Sequence, residues 1–426
     1  MATKRSKAGT TSAFDTHYET ERHFKNVHYG EKLPSEPISE EEIAKRKQTL
    51  KDHIKSFVDA IVNQYPPETL SKTGDFSAYS GSCGVALMFF RLYERIQHSN
   101  TNDASTADYY LAMTRKYAEI SIQMYTPSKR KPLLTFWCGG PGPFALMAIL
   151  HKMNKEEQKV KEYVGKILEF MKWVHDDSFE SDELLYGRAG LLYSLMYLNK
   201  YLKDDSIHAA CIEIAKAILK RGKLLESQSP LMYEWHERRY LAGAHGLSGI
   251  LYLLLDLKEI MNDEQYKKDI IGSIDFLASQ ELPSGNYPTR EEGTSDELVQ
   301  WCHGATAILM LYCKAEKLLK ETKWRKHAER AANCIWKRGL LKKGVGLCHG
   351  ISGNGYALLS MYNLTQDPMY YEQAWKFCEF SWSEKGAITY SKPDEPYCLA
   401  NGLAGAVTFY LDMLDPPSSN WIGFDL

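Results

Sequence analysis

Seven segments of the chain share one pattern of hydrophobic and polar positions. Each begins at a glycine, carries a second small residue three positions later and then stays apolar for two to three turns of helix. The leading glycines are Gly81, Gly139, Gly187, Gly246, Gly304, Gly350 and Gly402. Their spacings of 58, 48, 59, 58, 46 and 52 residues leave room for two helices and two connections in each repeat. A helix that is apolar nearly all round is expected to be buried.

A second kind of segment lies between these apolar runs and is apolar on one side only. In residues 101–125, the apolar positions step by three or four residues: Tyr110, Met113, Tyr117, Ile120 and Met124. This is the period of an amphipathic helix, and Asp103 or Ser105 supplies N-cap chemistry in front of it. Each repeat therefore predicts one inner helix and one outer helix.

Seven such pairs closed into a ring predict an all-α fold, a seven-fold α/α toroid. An open solenoid is the alternative, but it would expose the apolar helices and usually needs polar terminal repeats, which we do not find. Residues 1–45 are polar and carry no repeat, so we expect a partly disordered arm that leads into a first helix near residues 40–62. The toroid domain is expected to span 46–426. In a closed ring the inner helices all start at one rim, where side chains near the leading glycines meet.

Composition narrows the range of partners and compartments. The 426 residues are 44% apolar, and 52 basic residues nearly balance 54 acidic ones, so nucleic acid is not an expected partner. Nine scattered cysteines and an N-terminus without an apolar signal segment predict reduced thiols and a cytoplasmic protein. Apolar runs are too short for a membrane span, although peripheral association with membranes stays open.

Cys-His-Gly occurs twice, each time at the start of an apolar run. Cys302 and Cys348 stand two residues before a leading glycine, and His303 and His349 stand one residue before it. Equivalent rim positions can place two thiols and an imidazole around one ion, and such ligands suit zinc. Two ligating histidines would make a closed structural site, whereas one would leave a position for water or a thiol. Alternatively, the cysteines are small core residues and the histidines bond to loops.

Other rim residues have candidate roles of their own. His245 precedes Gly246 and is either a general acid or base or a capping residue. Arg188, with Glu183 upstream, is a candidate for binding a carboxylate, or it forms an ion pair with a neighbouring loop. Lys343, five residues before Cys348, either neutralises an anionic ligand or is simply solvated.

Several motifs in a fixed order resemble those of the eukaryotic lanthionine synthetase C-like (LanC-like) proteins, relatives of the bacterial lantibiotic cyclases. The resemblance runs from about residue 70 to the C-terminus. The motifs are LLYGRAG (184–190), SPLMYEWH (229–236), GAHGLSG (243–249), PSGNYP (283–288), WCHGA (301–305), GLCHGISGN (346–354) and NGLAG (401–405). The family fold that this resemblance implies is also a seven-fold α/α toroid.

The resemblance implies a zinc ion bound by Cys302, Cys348 and His349, with His303 near the metal. Members of the family activate a thiol on zinc, and the eukaryotic relatives bind glutathione and are associated with adding it to dehydroalanine or dehydrobutyrine in proteins. His245 matches the family's Ala-His-Gly histidine and is our candidate donor of the proton that completes the addition. Glu183 is expected to correspond to an acidic partner in the cyclases.

The resemblance also implies which residues bind glutathione. Lys343 matches a lysine that contacts glutathione in the family, and a second stretch, Arg-Thr-Pro-Asp in some relatives, reads YSKPDEP here (390–396). Lys392, Pro393 and Asp394 are therefore expected to bind substrate. Ser391 replaces the arginine of that stretch, and Asn401 stands where relatives carry glutamate.

Two further hypotheses belong to different classes of function. The chain could be a non-catalytic, zinc-containing scaffold that binds glutathione or signalling partners, a reading that the replaced arginine favours. A carbohydrate-active or terpenoid-type α/α barrel shares the architecture, but such enzymes rely on paired carboxylates or acidic metal-binding motifs. The rim here offers sulfur and imidazole instead.

Overall fold

The computed structural model describes residues 19–34, 36–70, 74–98, 103–127 and 132–426, and these are almost wholly helical. In chain order the helices are α1 (Glu40–Gln64), α2 (Ser82–His98), α3 (Ala104–Met124), α4 (Pro141–Met153), α5 (Glu157–Leu168), α6 (Arg188–Leu202), α7 (Asp205–Gly222), α8 (Leu247–Leu254), α9 (Lys258–Met261), α10 (Glu264–Ser279), α11 (Ala305–Leu319), α12 (Arg325–Arg338), α13 (Ile351–Thr365), α14 (Pro368–Ser381), α15 (Glu384–Ala387) and α16 (Leu403–Met413). Short 3₁₀ turns lie at Pro67–Thr69, Glu169–Trp173 and Pro416–Ser418. Within the described ranges, β-pairing is limited to isolated bridges.

Seven helices form a closed inner ring: α2, α4, α6, α8, α11, α13 and α16. Each packs against the next in this order, and α16 packs against α2, which closes the ring. Six of the inner helices pair with the outer helix that follows them, namely α3, α5, α7, α10, α12 and α14, while α16 pairs with α1. The predicted seven-fold α/α toroid is therefore confirmed.

The leading glycines allow each inner helix to start from a tight turn. At Gly246, for example, a Cβ atom would lie 2.5 Å from the carbonyl oxygen of Ala242, inside van der Waals contact. Every other leading glycine is similarly crowded by the backbone of its own turn. Gly304 has in addition a φ of +99°, a conformation that only glycine adopts readily. The repeated turn therefore places the residues just before each glycine on one rim.

The amphipathic pattern of the outer helices is borne out in α3. Met113, Tyr117 and Met124 are buried. The carboxylate of Asp103 caps the helix by accepting a hydrogen bond from the backbone N–H of Thr106, at 3.1 Å. The apolar face of this helix lies against α2, as an outer layer requires.

The N-terminal segment packs along the ring where it is described. Phe24 donates its backbone N–H to the carbonyl of Leu340 (2.8 Å), and Lys342 donates to that of Arg22 (2.9 Å). Ser39 caps α1 through its hydroxyl, so the helix begins at Glu40 and the expected boundary at 45/46 falls inside it. Residues 1–18 of the expected arm lie outside the described residues.

The C-terminal segment enters the centre of the ring. The indole N–H of Trp137 donates to the carbonyl of Gly423 at 3.0 Å, and the ring centroid of Trp421 lies 5.4 Å from that of Trp301. All three tryptophans are buried. Because Trp301 directly precedes Cys302, this aromatic cluster packs beneath the rim at one of the Cys-His-Gly motifs.

None of the helices in the described residues is both long enough and apolar enough to cross a membrane.

Candidate metal centre and adjoining cavity

The two Cys-His-Gly motifs meet on the rim. The sulfur atoms of Cys302 and Cys348 and a ring nitrogen of His349 all lie within 4.8 Å of one another. Backbone hydrogen bonds hold the two turns in register, since Cys302 donates to the carbonyl of Cys348 (3.2 Å) and Cys348 donates to that of Ala400 (2.7 Å). The three ligand atoms are therefore close enough for a single ion to contact them all.

The environment of the cluster favours a thiolate. A hydrogen bond from Cys348 lowers the pKa of the Cys302 thiol well below its ordinary value, while burial raises the pKa of Cys348. The side-chain amide of Gln300 also donates to the sulfur of Cys302, at 3.2 Å. Two thiols and an imidazole are a ligand set that zinc prefers, so the residues present fit this metal.

His303 lies beside the cluster without belonging to it. Its ring centroid is 5.5 Å from that of Tyr240 and 6.1 Å from that of His245. Burial lowers the pKa of His303, so the ring is neutral at pH 7. Its Nδ1 atom is buried and has no hydrogen-bond partner among the described residues. A neutral imidazole thus lies next to both the cluster and His245.

His245 is held on two sides. Its Nδ1 lies 2.8 Å from a carboxylate oxygen of Glu183. Glu183 is buried and also accepts hydrogen bonds from the backbone N–H of Leu185 (2.9 Å) and the hydroxyl of Ser181 (3.1 Å). The ring of Trp235 stacks on the imidazole, with centroids 4.0 Å apart and planes 7° apart. The pairing of His245 with Glu183 fixes the orientation of the imidazole ring.

A cavity of about 620 Å³ opens beside the cluster and includes one of its ligands, His349. We call it the basic cavity, and its lining residues are Tyr79, Ser80, Lys342, Lys343, His349, Lys392, Pro393, Asp394, Glu395 and Asn401. The four residues expected to bind glutathione, from two separate parts of the chain, thus line one space. Lys343 and Lys392 are exposed and aim no side-chain hydrogen bond at another described residue.

Sequence reasoning missed several residues of this cavity. Tyr79, Ser80, Lys342 and Glu395 were not expected there, yet Tyr79 and Ser80 directly precede the leading Gly81. Asn401, which the resemblance singled out only as a replacement, directly precedes Gly402. The Cys-His pairs were identified as the residues one and two positions before a leading glycine. The same rule applied to Gly81 and Gly402 would have found Tyr79, Ser80 and Asn401 as well. Burial raises the pKa of Tyr79, and the interaction of this tyrosine with Cys348 raises it further.

Arg188 was wrongly expected to bind substrate. The residue is fully buried. Its guanidinium donates to a carboxylate oxygen of Asp182 (2.9 Å) and to the carbonyls of Val174 (2.7 Å) and Asp176 (2.9 Å). Because these partners use its donors inside the protein, Arg188 ties a loop to α6, as the alternative interpretation of this residue held.

Comparisons with known proteins agree with this architecture. The chain matches the model of the family described as lanthionine synthetase C-like protein over residues 72–426. It is 33% identical to a zebrafish (Danio rerio) protein named glutathione S-transferase LANCL1, over 83% of this chain and 85% of the relative. It is 32% identical to the Arabidopsis thaliana LanC-like protein GCL1, over 92% and 90% of the two chains.

A solved structure shares the fold. Nisin cyclase superposes with a TM-score of 0.65 at 18% identity, covering 87% of this chain and 95% of the cyclase. At this identity the likeness concerns the fold alone. Together with the family match over most of the chain, it leads to one conclusion: this protein belongs to the lanthionine synthetase C-like family.

Proposed function

We propose that the protein is a zinc-dependent glutathione transferase that adds the glutathione thiol to dehydroalanine or dehydrobutyrine in proteins or peptides. The observation that carries the proposal is that His349, a member of the cluster formed with Cys302 and Cys348, lines the basic cavity. A thiol ligand placed in that cavity would meet the cluster at His349. The name of the zebrafish relative, a glutathione S-transferase, supports the same reaction class.

Cys302, Cys348 and His349 would hold the zinc ion and, being three ligands, would leave one position open. Zinc bound there would lower the pKa of a coordinated thiol, so that a thiolate is available at neutral pH. The proton released from the thiol passes to solvent. The proposed compartment is the cytoplasm, where glutathione is abundant. The absence of disulfides among the nine cysteines fits a reducing compartment.

The lysines of the basic cavity would bind glutathione by its charges. Glutathione carries two carboxylates and one ammonium group at pH 7. Lys343 and Lys392 would pair with the carboxylates, and Asp394, which lines the same cavity, would pair with the ammonium group. Lys392 supplies positive charge next to Ser391, the position that is arginine in some relatives. The cavity therefore retains the charge that the replaced arginine would have provided.

His245 would complete the addition by protonating carbon. The sulfur forms a bond to the β-carbon of the dehydroamino acid, the C=C π pair moves to the α-carbon, and that carbon then takes a proton. His245 would donate it from Nε2, while Glu183 accepts from Nδ1–H and stabilises the doubly protonated ring. Because Nδ1 of neutral His303 is buried, this ring would donate from Nε2 to the carbonyl oxygen next to the α-carbon, where negative charge accumulates.

The test is mass spectrometry of a dehydroalanine peptide incubated with glutathione and the purified protein. Wild type is compared with Cys348→Ala, and Cys211→Ala, a buried thiol on the outer helix α7, serves as the matched control. We expect the mass of one added glutathione with wild type and the control, but only the uncatalysed level with Cys348→Ala. Zinc content of each variant is measured in parallel.

The same experiment distinguishes the transferase proposal from the scaffold hypothesis. If wild type binds zinc and glutathione but gives no more adduct than a reaction without protein, the transferase proposal fails. The non-catalytic glutathione-binding scaffold, which the replacement at Ser391 favours, then takes its place.

A further inference from the structure

A second cavity on the same rim has no part in the chemistry proposed so far. Its volume is about 780 Å³, and it lies between the loop before α6 and the loop after α7. We call it the acidic groove and define it by Glu180, Tyr186, Leu224, Glu234, Trp235 and Glu237, which are among its lining residues. It shares no lining residue with the basic cavity.

Aromatic rings connect the acidic groove to His245. The ring of Trp235 lies in the groove wall and stacks on the imidazole at 4.0 Å. Tyr186, in the same wall, lies parallel to Trp235 with centroids 5.5 Å apart and interacts with His245 at 6.0 Å. A molecule bound in the groove therefore rests against the rings that position the proposed proton donor.

The charges of the acidic groove are the reverse of those in the basic cavity. Glu180, Glu234 and Glu237 are exposed. Glu180 and Glu237 form no ion pair with a described residue, and the nearest cation to Glu234 is Arg239 at 3.9 Å. Among the described residues of the lining, the one lysine or arginine is Arg221, which is already paired with Asp182 (3.0 Å) and Asp177 (3.4 Å).

The groove also offers apolar surface. The side chain of Leu224 is 69% exposed and that of Leu133 is 42% exposed, and both line the groove. Exposed leucines next to unpaired carboxylates suit a peptide whose backbone and aliphatic stems lie on the apolar surface while its cationic ends reach the carboxylates. The same carboxylates repel anionic glutathione, which keeps the two substrates in separate spaces.

We propose that the acidic groove binds the peptide segment that carries the dehydroamino acid, and that it selects segments with lysine or arginine beside that residue. This inference rests on the proposed function and specifies its second substrate. Glutathione enters from the side of the basic cavity and the cationic peptide from the side of Trp235. The reacting double bond then lies between the Cys302, Cys348 and His349 cluster and His245.

Peptide binding is measured first, because it requires no reaction. Two labelled peptides carry alanine at the reacting position and either lysines or glutamates on both sides, and their fluorescence anisotropy is followed with the full-length protein. The test variant is Glu180→Gln/Glu234→Gln/Glu237→Gln. The matched control is Glu41→Gln/Glu119→Gln/Glu264→Gln, which changes the net charge equally at exposed positions on outer helices.

We expect wild type and the control to bind the lysine peptide at least about tenfold more tightly than the glutamate peptide at low salt, with the preference shrinking as salt rises. In the test variant the preference should fall below about threefold. Equal binding of both peptides to wild type, or an unchanged preference in the test variant, would overturn the proposal.

The chain itself contains a competing occupant. Lys129, Arg130 and Lys131, which lie outside the described residues, precede Pro132 of the groove lining in the sequence. If neutralising these three residues raises the affinity for both peptides, the chain's own basic run fills the groove and the proposal fails. Wild type could also prefer the lysine peptide over the glutamate peptide and yet form no glutathione adduct with dehydroalanine peptides. That result counts against the proposed reaction but not against peptide binding in the acidic groove.

Discussion

The basic cavity and the His245 side of the rim hold their polar groups in opposite ways. Lys343 and Lys392 are exposed, and they are free to turn toward a ligand. Glu183 is 1% exposed and makes hydrogen bonds to three neighbouring groups as well as His245, whose ring is also stacked on Trp235. One region is suited to attracting charge and the other to holding one ring in a fixed orientation. Substitutions in the two regions should therefore change different kinetic constants.

Among substitutions that distinguish these two regions, the largest effect on the reaction is expected from His245→Ala. Loss of a general acid should lower kcat roughly 100- to 10,000-fold, while the KM for glutathione stays unchanged because the basic cavity is intact. Steady-state kinetics with a dehydroalanine peptide measure both constants. His208→Ala, on the surface of α7, is the control. A raised KM with unchanged kcat would remove the distinction between the two regions.

Arg188→Met tests a buried charge that serves neither region. Asp182 then keeps Arg221 as a cationic partner, but it loses the hydrogen bond from Arg188, and the carbonyls of Val174 and Asp176 lose theirs. The free energy of unfolding should therefore fall by about 1–3 kcal/mol. Urea denaturation measures this change. At temperatures where the variant stays folded, its KM for glutathione should equal that of wild type. A tenfold higher KM without loss of stability would instead restore the substrate-binding role.

Lys343→Gln and Lys392→Gln should act on binding. Each loses a charge-assisted interaction with a glutathione carboxylate, so we expect KM for glutathione to rise about tenfold at unchanged kcat. Lys216→Gln, an exposed lysine on α7, controls for the change in net charge. If both lysine variants match this control, glutathione does not use the basic cavity.

The smallest effect is expected from Ser391→Arg. A second cation beside Lys392 adds an exposed interaction of about 0.2–1 kcal/mol, which corresponds to a KM for glutathione lowered at most about fivefold. The gain should disappear at high salt, because exposed charges are screened. A KM that is insensitive to this substitution would mean that position 391 does not face the bound carboxylates.

The ring could be predicted from sequence because one physical requirement recurs seven times. Each leading glycine lies where a Cβ atom would overlap the backbone of its own turn, so the spacing of glycines marks the start of every inner helix. The same register brought Cys302 and Cys348 together, since equivalent positions of adjacent inner helices are neighbours on the rim.

The remaining parts of the site depend on tertiary contacts that no local pattern reveals. Arg188 looked like a rim residue, but its partner Asp182 folds back beside it and both are buried. The acidic groove combines two loops from adjacent repeats, and Glu180 and Glu237 read in the sequence as ordinary solvated residues. The N-terminal segment pairs through backbone groups of Arg22 and Phe24, which leave no trace in the side-chain pattern.

The pairing of α1 with α16 has a consequence for how the protein is made. The outer helix α1 leaves the ribosome before all seven helices of the inner ring, and its inner partner α16 follows the other six. At synthesis rates of about 5–20 residues per second, α1 waits for tens of seconds before α16 emerges. During that time Leu50, Phe57 and Ile61, which are buried in the finished ring, lack that partner. The nascent chain is thus a strong candidate for chaperone binding until α16 has emerged.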